Sequence, residues 1–208
     1  SLAQDVLKIQ EVDNPNPFEH TMRSVGSDSF SVSYHGWAHT HLDALAHVRD
    51  ADGRMYNNYE PVESTVMAAG GHSRNSIHNL KSGVFTRGIL MDIPRLKGLP
   101  YLEPETPIYV EDLEAWEREA GVRVTAGDAV FIRTGRWAAR DELGPFRIGR
   151  TGRSAGLHPS VIPWLRERDI AVLGSDVALA VAPSDLPGAA HDFALVVLGL
   201  HLFDNCNL

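Results

Sequence analysis

The stretch HGWAHTHLDALAH, residues 35–47, holds four of the chain's ten histidines together with one aspartate. Imidazoles and a carboxylate crowded this closely are the groups that hold a divalent cation or move protons. Read as a strand, alternate side chains share a face, so Trp37, His39, His41 and Asp43 project together. His-x-His-x-Asp then lies within about 7 Å at a rise of roughly 3.3 Å per residue. That suits a single cation, or a pair bridged by the aspartate. Nitrogen and oxygen donors favour Zn, Mn or Fe(II) over Cu(I). Read as a helix, His35, His39, Asp43 and His47 step by four and form one stripe. Gly36 and β-branched Thr40 weaken that stripe. The alternation entering from Ser29 favours a strand to about Asp43, then a turn or helix start that carries His47. His47 is thereby placed either as general base and acid or as the hydrogen-bond partner of Asp43.

The surrounding elements must hold this stretch in place. Residues up to about Gly26 are polar and proline-punctuated, as in DNPNPFEH, so about 1–28 reads as an extended, loop-like N-terminal segment. Phe30, Val32 and Tyr34 alternate with Ser31, Ser33 and His35, a strand pattern. GVFTRGILMDI (83–93) reads as a strand or strand pair with a glycine irregularity. VEDLEAWEREAG (110–121) reads as a helix: Leu113, Trp116 and Ala120 share a face, acids fill the first turn, and Gly121 stands at the stop. Strands at 126–135 and 170–176 then alternate with helices at 158–169 and 190–199, before a last strand at 200–205. Ser160 is the expected cap of the 158–169 helix, with Pro163 tolerated in its first turn. This rhythm predicts one α/β domain over 1–208 with a mixed, partly parallel sheet. Active side chains in such folds gather at strand ends.

Composition narrows the chemistry. At 43% hydrophobic and 22% charged, 208 residues suffice for a sizeable core. A net charge of -8 without a basic stripe argues against a nucleic-acid partner and against an anionic membrane surface. No apolar run is long enough to span a bilayer. The single cysteine, Cys206, allows no intramolecular disulfide and leans towards a reducing, cytoplasmic setting. The opening SLAQDVLKIQ lacks the basic and apolar regions of a signal peptide, although it also lacks an initiating methionine, which leaves an upstream leader open. There is no G-x-S-x-G elbow and no phosphate loop, and no base is placed beside Cys206.

The same residues resemble a family. HTHLDALAH is similar to the signature of the cyclase family that includes bacterial kynurenine formamidase and isatin hydrolase, His-x-Gly-Thr-His-x-Asp-x-Pro-x-His. Thr40, His41 and Asp43 match its core and His47 its last histidine. VFTRGILMDIPR, AGDAVFIRTGRW, AGLHPSVIPWLRERDIAVLGSD and HDFALVVLGLHLFDN resemble further blocks of one subgroup, so the resemblance covers most of residues 30–205. It implies a swivelling β/β/α fold and a divalent metal, Zn or Mn, as one or two ions. It also implies a metal-activated water that opens an amide or ester, often cyclic. Carried over, His41 and Asp43 are metal ligands and His47 is the acid/base. His191 and Asp204 complete the site, Asp204 standing where relatives often carry Glu. Three positions depart from the signature: Trp37 replaces its first histidine, His39 its glycine and Leu45 its proline. The lost ligand is then supplied by His39 or, across a bulge at Gly36, by His35. Relatives of the subgroup continue beyond the position of Leu208, which implies a further C-terminal segment with substrate contacts. They also pair, which implies a homodimer or homotetramer.

These readings converge on a metal-dependent hydrolase that opens a cyclic amide, an N-formyl amide or a lactone of a small molecule, with Trp37 as an aromatic wall or as plain core packing. Two alternatives stand beside it. One is a cyclase-fold binding protein without catalysis, favoured by Trp37 at a ligand position. The other is a metal-dependent lyase or isomerase that enolises its substrate at the same site. Arg87 and Arg133 are candidates for a substrate carboxylate, or for pairing with Asp92, Asp128 or Asp176. His20, His72, His78, His158 and His201 are read as structural or surface residues.

Overall fold

The computed structural model describes residues 7–12, 25–32, 35–61, 74–144 and 152–208. His20 and His72 lie outside them. The chain divides into two compact units, Ser1–Gly36 and Trp37–Leu208. The first contains β1 (Leu7–Val12) and β2 (Val25–Phe30), paired antiparallel from Leu7↔Phe30 to Val12↔Val25. This corrects the loop-like reading of that segment. LKIQEV carries the alternation of a strand, and the prolines that suggested loop fall between the two strands.

The second unit is built on a five-stranded mixed sheet. Its strands are β3 (His41–Asp43), β4 (Gly88–Asp92), β6 (Ala129–Arg133), β8 (Val172–Ser175) and β9 (His201–Asp204), in the order β3-β9-β8-β6-β4. Only β3 runs antiparallel to its neighbour; the other pairs are parallel. A two-stranded parallel ribbon joins β5 (Pro107–Ile108) to β7 (Gly156–Leu157). The helices are α1 (Ile93–Leu96), α2 (Val110–Ala120), α3 (Arg136–Leu143), α4 (Ile162–Arg168) and α5 (Ala190–Phe193), which continues as a π turn over Ala194–Leu198. The α/β class and mixed sheet expected from the sequence are what the chain adopts.

One face of the sheet makes the core. Met91, Ile132, Leu173 and Leu202, one from each of four adjacent strands, are fully buried and pack with Leu113 of α2, Leu165 of α4 and Leu195. Each such burial contributes about 1.5–3 kcal/mol. The expected helix at 110–121 is α2, stopped by Gly121 in the left-handed region at φ 64°. At 158–169 the chain first makes a 3-10 turn, Pro159–Val161. Its cap is not Ser160: His158 Nδ1 accepts the Ser160 N–H at 3.2 Å.

Arginines expected in pairs are in pairs. Arg133 Nη1 donates to Asp92 Oδ1 at 2.9 Å. Arg87 grips both oxygens of Asp128, with Nε at 2.8 Å and Nη2 at 2.6 Å, and the Thr125 N–H adds a third bond at 2.7 Å. The Arg87 bonds hold the Asp128 carboxyl down at about 2. The unfolded carboxyl lies near ~3.9, so its ionised form favours the fold above that pH, and the contribution fades as pH falls towards about 2. Asp128→Asn should therefore be less stable than the parent at neutral pH in denaturant titrations, with the gap closing in acid. A gap that does not change with pH would contradict this.

Candidate metal centre

Two strands build the site. The antiparallel register of β3 on β9 sets His41 directly opposite Asp204 and Asp43 opposite Leu202. Side chains alternate along a strand, so Asp204 shares the face of core residue Leu202, and His41 and Asp43 meet them there. The carboxylates consequently point into covered space: Asp43 is 0% exposed, and Asp204 and His41 are buried. One ligand atom from each of His41, Asp43 and Asp204 lies within 4.8 Å of the other two.

His191 arrives from α5, just ahead of the π turn, an irregularity that often accompanies functional residues. Its Nε2 lies 3.1 Å from Asp43 Oδ2 and 3.5 Å from Asp204 Oδ2, and its Nδ1 lies 3.1 Å from Asp192 Oδ1. His47 follows a turn closed by its own N–H on the Ala44 carbonyl at 2.9 Å. Its Nε2 stands 3.7 Å from Asp43 Oδ2, and its side chain is 37% exposed. The His47 and His191 rings meet edge-on at 6.1 Å. His201 Nδ1 donates to the Asp43 carbonyl at 3.0 Å and so fixes the strand behind the carboxylate.

Hydrogen bonds set the protonation states. A carbonyl only accepts, so His41 Nδ1, 2.8 Å from the His39 oxygen, carries the proton. Its other ring nitrogen, Nε2, stands 3.5 Å from Asp43 Oδ1. Both nitrogens of His191 face carboxylates, so both donate and the ring is an imidazolium. Burial pulls His191 down, but Asp192, Asp204 and Asp43 outweigh it and hold the imidazole well above its ordinary value. Burial likewise pushes Asp43 up. The His191 bond and the charges of His47, His191 and His41 reverse this and leave the carboxyl below its usual range.

The structure thus gathers His41, Asp43, His47, His191 and Asp204. It does not continue the strand back to Trp37: residues 35–39 form bends, and the ladder begins at His41. His39 is exposed there and meets the site through its backbone oxygen, which corrects the strand-face argument for it as a ligand. His35 belongs to the N-terminal unit and is exposed. Trp37 is 42% exposed, so it is not core packing. Asp176 pairs with neither Arg87 nor Arg133; it accepts the backbone N–H groups of Thr134, Gly135 and Arg136. Asp192 and Arg136 were not singled out from the sequence. Asp192 had a signal, as the carboxylate next to His191, whereas Arg136 had none. The Cys206 thiol is buried and pushed up to about 11, a poor nucleophile.

The donor set fits a divalent cation. Two imidazoles and two carboxylates converge. Asp204 Oδ1 is buried with no hydrogen-bond partner among the described residues, a costly state that a cation would relieve. The Cyclase family model matches residues 8–180. The chain belongs to the Cyclase family. Among solved structures it is similar to a novel cyclase, with 27% identity and a TM-score of 0.70 over 91% of this chain. The match takes in 62% of that chain, so the present chain spans less than two thirds of its length. It is similar in fold to isatin hydrolase A from Ralstonia solanacearum (21% identity, TM-score 0.58, 96% of this chain and 68% of that one). It is also similar to isatin hydrolase A from Labrenzia aggregata bound to benzyl benzoate (20%, 0.57, 96% and 69%). No curated protein matched. Among the described residues, no helix is long and apolar enough to cross a membrane.

In protein treated with chelator, the His191 ring should titrate above the ordinary imidazole range by NMR, and Asp204→Asn should bring it down. An unmoved His191 would contradict the arrangement.

Proposed function

We propose that the chain is a metal-dependent hydrolase that opens an amide or ester of a small molecule, with cyclic amides, N-formyl amides and lactones as the substrate class. The observation that carries this is the convergence of His41, Asp43, Asp204 and His191 beside a half-exposed His47. Membership of the Cyclase family supports it. His41, Asp43, Asp204 and His191 would hold the cation, and this mixed nitrogen–oxygen set suits Zn or Mn. Once bound, such an ion makes a water more acidic and draws charge from a carbonyl oxygen.

The chain's own groups do the rest. His41 keeps its proton on Nδ1 through the His39 carbonyl, which leaves Nε2 as the donor atom. As a ligand His191 would have to be neutral, so its extra proton would be lost on binding a cation. His47 remains apart from this set, on the solvent side, where one ring nitrogen can face a reacting molecule. It takes the proton from the attacking water at Nε2, the nitrogen turned towards Asp43. It then returns that proton to the leaving nitrogen or oxygen. Exposed Trp37 offers an aromatic surface to a planar substrate. The working form is a cytoplasmic homo-oligomer.

Turnover of a panel of cyclic amides, N-formyl amides and lactones in oxygen-18 water tests the reaction class. The product should gain one solvent oxygen, and His47→Gln should lower kcat by about 100-fold or more while metal content is retained. Product without label would point to a lyase or isomerase. A metal-loaded, folded protein that turns over no member of the panel would point to binding alone.

A further inference from the structure

The ladder that opposes His41 to Asp204 has three residue pairs, from His41↔Asp204 to Asp43↔Leu202. So short an edge pairing frays readily unless something outside the ladder fixes its open end. At that end the chain leaves β9 through Asn205, in the left-handed region at φ 55°, and approaches β3 through Trp37 and Thr40. A buried guanidinium spans the gap. Arg136, the first residue of α3, donates from Nη1 to Asn205 Oδ1 at 2.6 Å and from Nη2 to the Trp37 carbonyl. Thr40 Oγ1 adds a parallel tie to the Asn205 carbonyl at 3.0 Å.

We infer that Arg136 is a positioning residue of the metal centre, stapling the entry to β3 onto the exit of β9 so that His41 stays opposed to Asp204. The inference rests on the metal reading of the site. Arg136 is itself held from behind. The Asp176 carboxylate at the end of β8 accepts the Thr134, Gly135 and Arg136 N–H groups at 2.8, 2.8 and 3.1 Å, which fixes the start of α3. Arg136 Nη1 also reaches the Asp176 carbonyl at 3.4 Å, and its guanidinium lies over the Trp137 ring at 4.4 Å. Burial pulls its pKa down to about 10, so it stays charged at neutral pH. A fixed planar fork can bridge two acceptors on different segments, whereas the compact ammonium of a lysine cannot span them in the same way. Core packing alone does not require a charge here, because a buried cation is costly unless its bonds are all made.

Co2+ is the probe, followed by its visible absorption in the parent, Arg136→Lys, Arg136→Met and Asn205→Gly. The glycine variant keeps the left-handed backbone and deletes only the side-chain arm. Melting temperatures of the metal-free proteins are recorded in parallel. The parent should bind Co2+ with a ligand-field spectrum. Arg136→Lys and Arg136→Met should bind about tenfold more weakly or worse, with a changed spectrum, and Asn205→Gly should show part of the same loss. A folded Arg136→Lys or Asn205→Gly with parental affinity and spectrum would overturn the inference whatever its melting temperature. Should the Arg136 variants fail to fold, Asn205→Gly alone decides. A folded parent that binds no Co2+ would remove the metal reading beneath it, a result distinct from parental binding by the variants.

Discussion

Two carboxylates buried side by side govern the rest of the structure. Asp43 and Asp204 face the covered side of the sheet at the seam of β3 and β9, where both are buried. Unpaired carboxylates in such a place would oppose folding by several kcal/mol each. The chain answers with an imidazolium: His191 reaches both carboxylates, and the rings of His41 and His47 flank Asp43. A cluster with this much buried negative charge is one that could hold a cation, and a divalent ion would compete with the proton on His191 for the same carboxylates.

The same constraint accounts for the architecture around the seam. Parallel strands β4, β6 and β8 supply an apolar floor through Met91, Ile132 and Leu173, while β3, the antiparallel strand of this five-stranded sheet, carries His41 and Asp43. Because β3 is short, its register depends on side-chain ties from elsewhere: His201 on the Asp43 carbonyl, Thr40 on Asn205, and Arg136 across both segments. The site is therefore a junction of β3, β9, α5 and the start of α3, and not the property of one motif.

Much of this was legible in the residues. α2, β6, β8 and β9 follow from apolar runs closed by glycine or aspartate turns, since burial and turn chemistry act locally. His41 and Asp43 on one face follow from the alternation of a strand. The misreadings share one cause. His39 alternates with His41 as a strand residue would, but a strand needs a partner, and β9 ends at Asp204 opposite His41. β1 was hidden because its polar alternation resembles loop, and its partner lies across a proline-bearing connection. Arg136 carries no sequence signal, because its bonds join residues 69 and 99 positions away. Its role depends on a fold that local pattern does not specify.

The central claim is that the carboxylate–imidazole junction is a metal centre. Elemental analysis of the parent and of Asp43→Ala, both purified without chelator and with metal supplied, tests it most directly. The account predicts about one or two equivalents of Zn or Mn in the parent and loss from the variant. A folded parent with no divalent metal above background would contradict it.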